Sequence, residues 1–564
     1  MKHISYLFAL IFFFTSCSMN NIEDQITFKQ VDPYLKIFRE SNFLPAFDTT
    51  PEVAAGECAT FQFAIRAALP LNDLNIEVSE FRSDNNETFG DIQTGFIDYV
   101  KVGRQTPDRA KDALNSLSLY YPDPIIETQA WKVERDVTQP MWVTVNIPRT
   151  AKAGDYTATF TLKGKLVDQS FTLKKDIHIK VYPIVLNEPD LWVTNWFSTS
   201  DENMKIFNGG KEVETYSDTY WKLIQELAEK MKVCFSNVII VSPFEHIDIK
   251  KSENTYTFDF TNFDKMVTIF HQAGVLKMIE GGHIAARCGD WGSQFEVFLP
   301  TVEKGEKKNI QKPISDAEAQ NFYKQFIPAL YTHIKQKFPE VQYAQHIADE
   351  PIDCNVKTYV EIARYVKNLC PDIKIIEACH SNKLENTVDI WVPQLNFYNE
   401  NFSFYKEREA AGDMVWFYTC LAPQGQFANR FIEQPLIKPR LIHWLNFKYD
   451  CKGYLHWGFN QWTVTEEKDP FDETTVMNKE GGNTLPGGDS WIVYPKNGKL
   501  HGSIRLEAMR DGINDYTLLR MFEAKNPELA KELARQVVYR WDHYDTEANH
   551  FRTIRHQILE ELSK

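Results

Sequence analysis

Two acids stand side by side at Asp349–Glu350, followed directly by Pro351. Adjacent carboxyls can divide acid–base work: one, kept protonated, donates to a departing oxygen while the other balances positive charge on the neighbouring carbon. Cleavage of an acetal makes that pair of demands. In a regular strand neighbours point to opposite faces, so shared work requires the chain to bend at this pair. An acid ahead of Pro351 also fits a helix N-cap with proline at the first helical position. The surroundings of the pair must decide between these readings.

Beyond residue 190 apolar strands alternate with helix-period segments. The strands fall at 191–196, 238–241, 275–279, 343–348, 374–378, 389–393, 414–418 and 453–457. Helical patterns occupy 216–232, 263–272, 317–337 (after a long loop), 356–369 and 436–447, with a further helix over 504–522. Eight such repeats predict a (β/α)8 barrel over 190–564, closed by C-terminal helices. In that fold the chemistry lies at the C-terminal ends of the strands. Those ends carry Glu280 to His283 after the third strand, Asp349–Glu350 after the fourth and His380 after the fifth. Asn396 to Tyr398 follow the sixth, and His456 to Trp462 the eighth. Carboxylates, imidazoles, amides and aromatics on one rim favour chemistry over capping.

The first third reads differently. Residues 60–65, 141–147, 156–162 and 177–181 alternate apolar and polar side chains with turn-rich stretches between them, which predicts an all-β sandwich over 31–189. Ahead of it, Lys2 and His3 precede an apolar run from Ile4 to Phe14 and then Thr15-Ser16-Cys17. This is the pattern of a secretory signal over 1–16. Cys17 after two small residues resembles the acylated cysteine of bacterial lipoproteins, with 17–30 as a polar tether. The expectation is a protein exported and lipid-anchored to the outer membrane, at its periplasmic or surface face, touching the membrane through that anchor only. A net charge of −15 with no basic patch excludes nucleic acid as a partner. The other eight cysteines show neither CxxC nor zinc-like spacing. Aromatics make up 13% of the chain, a supply of flat faces with polar edges that suits sugar rings as well as cores.

Four segments carry a resemblance. They are Ile147-Pro148 to Tyr156, Ala348-Asp349-Glu350-Pro351, Gly487 to Pro495, and Arg505 to Tyr516. With them the chain resembles glycoside hydrolase family 123, retaining β-N-acetylgalactosaminidases that join an N-terminal β-sandwich to a (β/α)8 domain. The adjacent acid pair is the specific part; the last segment speaks for fold more than substrate. The resemblance implies substrate-assisted catalysis on a glycan bearing a 2-acetamido sugar, with no cofactor and no metal. Asp349 would orient the acetamido N–H, and Glu350 would serve as general acid and then base. Tyr398 is the candidate for the acetamido carbonyl, Trp416, Trp457 and Trp491 for the pocket walls, and His283 and Asn460 for sugar hydroxyls. The alternatives are another β-N-acetylhexosaminidase, a metal-dependent hydrolase built on His283, His346, Asp349 and His380, and a non-catalytic glycan-binding lipoprotein. No side chain in the sequence identifies which 2-acetamido epimer is bound.

Overall fold

The computed structural model describes residues 22–564 except 304–305, 385, 465–468 and 478–482. The expected signal segment, Cys17, the start of the tether and Gly481 lie outside the described residues. The tether is shorter than its composition suggests. Ile26–Val31 forms an edge strand paired antiparallel with Cys58–Ala67.

The N-terminal domain packs two sheets face to face. One runs in the order Ile26–Val31, Cys58–Ala67, Gln139–Asn146, Ile92–Lys101, Tyr120–Ile126. The other is built around the long pair Gly154–Leu166 and Gln169–Val185. Alternation puts every second residue inward, so Phe61, Phe63 and Ile65 are buried from one sheet and Phe160 and Leu162 from the other. Phe63 and Phe160 stack across the gap at 3.9 Å.

The barrel follows. Its strands are Trp192–Asn195, Val238–Val241, Met278–Gly281, Gln342–Gln345, Lys374–Cys379 and Ile390–Pro393, then a seventh in two pieces, Met414–Val415 and Phe417–Tyr418, and finally Gly453–His456. Each pairs in parallel with the next, and the eighth returns to the first. The break at Trp416 lets the seventh strand serve both neighbours, its first piece pairing with the sixth strand and its second with the eighth. Trp416 itself points inward at the bottom. Its indole occupies the space a Cβ on Gly453 would fill, 2.2 Å away, and stacks on Trp192 at 6.2 Å. The expectation that Trp416 walls a pocket is therefore corrected: it plugs the barrel floor, among Val238, Met278 and Ala344.

Helices Ala317–Lys337 and Val356–Leu369 bury one face each, the first capped by Asp316 accepting from the amides of Glu318 and Ala319. The stretch read as a long loop after the third strand is instead a three-stranded antiparallel sheet, Ala285–Arg287, Phe295–Glu303 and Glu306–Lys312. Phe295, Val297 and Leu299 alternate inward, enough to pin it to the barrel.

The two domains are joined by charge as well as packing. Arg505, fully buried near the start of helix Ile504–Lys525, reaches Asp123 of the sandwich with Nε at 2.8 Å and Nη2 at 2.7 Å. Its other N–H groups donate to the carbonyls of Arg430, Gly488 and Trp491, each at 2.9 Å. All five guanidinium hydrogens are thereby used, the condition for burying such a group. Arg505→Met should destabilise the protein by about 3–5 kcal/mol, because Asp123 stays buried without its cation. Denaturant unfolding of this variant and of the double variant with Asp123→Leu checks the cause: the double variant should recover part of the loss.

Candidate active site

The fourth strand ends at Gln345, and the next five residues make the site. Glu377, from the fifth strand, turns one carboxylate oxygen on this segment: Oε2 accepts from the amides of Ile347 (2.9 Å) and Ala348 (3.1 Å) and from the Tyr359 hydroxyl (3.0 Å). Two successive N–H groups converging on one anion bend the chain out of strand geometry. Three residues on, Glu350 sits at φ +45°, in the left-handed region that non-glycine residues seldom adopt. That turn brings the side chains of Asp349 and Glu350 toward one cavity. The capping reading falls away, since helix Val356–Leu369 starts five residues past Pro351 with Asn355 at its N-cap position.

Each acid has its own surroundings. The Tyr418 hydroxyl, from the end of the seventh strand, donates to Glu350 Oε1, and His380 Nε2 lies 3.2 Å from the same oxygen and 2.7 Å from the Tyr418 oxygen. With the tyrosine hydrogen committed to Glu350, His380 Nε2 must carry a hydrogen of its own. Burial pushes the Glu350 carboxyl up, but His380 and Tyr418 outweigh it and hold the group below its ordinary range. Asp349 has no such donors. Its desolvated position on the cavity floor, then the charge of Glu350, raise it to about 6, against an opposing pull from His283. Two like charges this close titrate as a pair, and the unliganded pair keeps its last proton on the Asp349 side.

Beneath the pair lies a buried charge chain. His346 is fully enclosed, with Nδ1 2.7 Å from Glu377 Oε1 and Nε2 2.6 Å from Glu280 Oε1. Glu280 also accepts from the Thr194 hydroxyl at 2.6 Å and the Trp196 indole at 2.9 Å. Burial alone would strip a proton from His346; Glu377 and Glu280 override it and lift the imidazole to about 10. Burial opposes the charge of Glu377 as well, yet His346 and His283 hold that carboxyl near about 2. His283 closes the chain, its Nε2 3.4 Å from Glu377 Oε1 and 4.0 Å from Asp349 Oδ1.

His283, His346 and Glu377 offer ligand atoms within 4.8 Å of one another. The donor set does not suit a cation. An imidazolium with both nitrogens donating to carboxylates has no lone pair to give. His380 belongs to Glu350, not to this cluster.

A cavity of about 580 Å³ opens beside Asp349, lined by His283, Ser242, Phe244, Glu245, Arg287 and Phe298 among others. Another, of about 490 Å³, lies between the sandwich and the C-terminal helices. Its guanidiniums Arg440, Arg552 and Arg555 are each paired with carboxylates, so the barrel mouth is the place for chemistry.

Of the residues picked from sequence, Asp349, Glu350 and His283 come together. Trp457 is partly buried and donates its indole N–H to Asp489 at 3.2 Å. Asp489 was not picked; burial raises its carboxyl to about 7. Three further expectations are corrected. Tyr398 lies on helix Leu395–Glu400 outside the barrel wall, fully buried against Trp541 and Tyr405. Asn460 spends its amide on the backbone of Ser198, at 2.8 and 3.0 Å, and is buried. Trp491 is bridged to Asn460 and 1% exposed, so it presents no wall to a ligand. Tyr418, His380, Glu377 and Arg287 do line or brace the pair. Tyr418 and His380 stand at strand ends, the signal that could have found them.

Residues 203–522 match the family model for the glycoside hydrolase 123 catalytic domain, and residues 49–164 that for the glycoside hydrolase 123 N-terminal domain. Among solved structures the chain is similar to a family 123 glycoside hydrolase from Clostridium perfringens studied for glycolipid glycan hydrolysis. The two share 15% identity over 96% of this chain and 97% of that one, with a TM-score of 0.70. A Parabacteroides merdae β-glucuronidase aligns at 9% identity over 86% of this chain and 52% of its own, with a TM-score of 0.31 that carries no argument. No curated protein matches the chain by sequence.

The buried chain has a signature in stability. A histidine raised from its ordinary 6.5 to about 10 on folding adds stability that is fully present below pH 6.5 and lost as pH rises through 10. Chemical denaturation of the wild type and His346→Gln from pH 6 to 10 should show the widest gap at the acid end, narrowing upward. A gap independent of pH would mean that His346 is neutral in the folded protein.

Proposed function

The chain belongs to glycoside hydrolase family 123, and from that premise we propose that it is a retaining β-N-acetylgalactosaminidase in which the 2-acetamido group of the substrate is the nucleophile. One observation carries the reading: the left-handed turn at Glu350 sets two neighbouring carboxyls on one cavity. Neighbours cannot stand on opposite faces of a scissile bond, as an ordinary retaining pair does at about 5–5.5 Å. They can serve one face together. Asp349 accepts the acetamido N–H and holds its carbonyl oxygen against the anomeric carbon. As that oxygen bonds to the carbon, the glycosidic bond breaks and Glu350 gives its proton to the departing oxygen. Water then opens the oxazolinium ion with Glu350 as base, and the two inversions return the original configuration.

The proton arrangement supports this division of labour once substrate is considered. In the unliganded chain His380 and Tyr418 keep Glu350 ionised and the proton rests with Asp349. An acetamido N–H donating to Asp349 favours its charged form, and that adjacent charge raises the proton affinity of Glu350. Binding thus moves the shared proton onto the acid that needs it. The N-terminal sequence further supports export and anchoring through Cys17. Among the described residues no helix is long and apolar enough to cross a membrane.

Three outcomes test the proposal. Aryl β-glycosides lacking the 2-acetamido group should not be turned over; comparable rates with and without it would sink the mechanism. Glu350→Gln should cost about 10²–10⁴-fold on poor leaving groups and less on activated aryl glycosides, whereas Asp349→Asn should depress both. In pH profiles, the alkaline limb of kcat/KM should report the free pair near 6, and that of kcat should lie higher because bound sugar retains the proton. Coincident limbs would refute the proton shift. For the anchor, Cys17→Ala should move the protein from the membrane fraction to the soluble one.

A further inference from the structure

Trp291 is the only exposed tryptophan among the described residues, with 49% of its surface open. An indole left in water needs a reason, and this one is held rigid. The Arg287 guanidinium stacks over it at 3.8 Å while Arg287 Nε donates to the Trp291 carbonyl at 2.9 Å. The same guanidinium donates through Nη2 to the Glu350 carbonyl at 2.8 Å. The loop is tied down beyond Trp291 as well. Asp290 Oδ1 accepts from the Gly292 amide at 3.1 Å and the Ser293 hydroxyl at 2.9 Å, and Asn355 Nδ2 donates to the Ser293 carbonyl at 3.2 Å. The ring therefore has a fixed place relative to Glu350. It stands 6.1 Å from the His380 ring, which itself touches the Glu350 carboxyl.

We propose that Trp291 is the platform for the leaving-group side of the substrate, stacking against the apolar face of the sugar to which the 2-acetamido residue is attached. The proposal rests on the reading of Glu350 as the proton donor, since the donor marks the side from which the leaving group departs. Arg287 covers one face of the indole and leaves surface for a pyranose, whose C–H groups form an apolar plane of matching size. Arg287 also couples the platform to the backbone of the acid, so the leaving sugar and its proton source keep a fixed separation. The ligand is a neutral sugar ring, because Arg287 supplies the local positive charge and already has Trp291 and Glu350 as partners.

The test compares two substrates carrying the same β-linked 2-acetamido sugar. One set comprises disaccharides with a second hexose, in several linkages. The other is the 2,2,2-trifluoroethyl glycoside, whose leaving group is activated but has no ring to stack. For Trp291→Ala, the loss in kcat/KM on the best disaccharide should exceed the loss on the trifluoroethyl glycoside by about 10-fold or more, with Trp291→Phe in between. Thermal unfolding of both variants should match the wild type, because the side chain is exposed. Equal losses on the two substrates, or no selective loss on any disaccharide, would overturn the platform. A wild type that cleaves the trifluoroethyl glycoside and no disaccharide would also overturn it, while leaving the hydrolytic reading intact. A wild type inert on both would overturn the hydrolytic reading itself.

Discussion

A single carboxylate sets the geometry of the barrel mouth. Glu377 collects the amides of Ile347 and Ala348 on one oxygen and His346 on the other. Without that anchor, nothing in the fourth strand would turn the next two side chains to the same side. The anchor is costly by itself, since a buried anion without compensation is worth several kcal/mol of instability. His346 supplies the opposite charge, and Glu280 on its far side keeps the imidazolium protonated. These three side chains come from the third, fourth and fifth strands. Parallel pairing of those strands in one register is therefore a precondition for the turn at Glu350, and the turn is a precondition for two acids sharing a cavity.

The same logic of satisfied buried charge ties the sandwich to the site. Arg505 joins Asp123 of the sandwich to the carbonyls of Gly488 and Trp491. Between those carbonyls lies Asp489, the acceptor for the Trp457 indole at the end of the eighth strand. The segment around the mouth is thus fixed from below by a cation whose counter-ion belongs to another domain. Asp515, farther along the same helix, gathers Arg440, Arg555 and Trp444. The Arg505-to-Tyr516 segment reads, in the folded chain, as an interdomain charge seam, which is why it speaks for fold and not for substrate.

Much of the fold was legible because burial imposes period. Helices 317–337 and 356–369 appear in the structure with the bounds their apolar faces suggested, and the sandwich strands follow from alternation. The third strand slipped because Val275 and Leu276 are apolar yet precede the strand, just after Gly274 at φ +79°. The sheet over 285–312 was read as loop although Phe295, Val297 and Leu299 alternate, since a pattern between two barrel elements has no place in the ideal repeat. For the site, the strand-end rule located Asp349, Glu350 and His283 but misplaced Tyr398. The residues after the sixth strand start a helix at once, and the helix carries Tyr398 over the outer wall. Trp416 and Trp491 were chosen for type; which way an aromatic faces depends on strand tilt and loop closure, not on its neighbours in sequence. Glu280, His346 and Glu377 were invisible as a unit for the same reason: only the barrel's register makes them touch.

The adjacency of the acids also bears on where the nucleophile comes from. The carboxylates that the neighbouring strands send toward the pair, Glu280 and Glu377, are spent on His346 and on backbone amides, and Glu377 is held deep in its charged form. Freeing either to attack an anomeric carbon would leave an imidazolium buried without its counter-charge and release the turn that aims Glu350. A protein nucleophile drawn from this cluster would dismantle the acid it has to work with. A substrate that brings its own nucleophile asks much less of the barrel: one acid to orient an amide, one to hand over a proton, and a rigid charge chain beneath them that takes no part in bond making. That economy is what the local structure supports, and it explains why a strained left-handed residue is retained at the point where a relaxed strand would have set the two carboxyls on opposite faces.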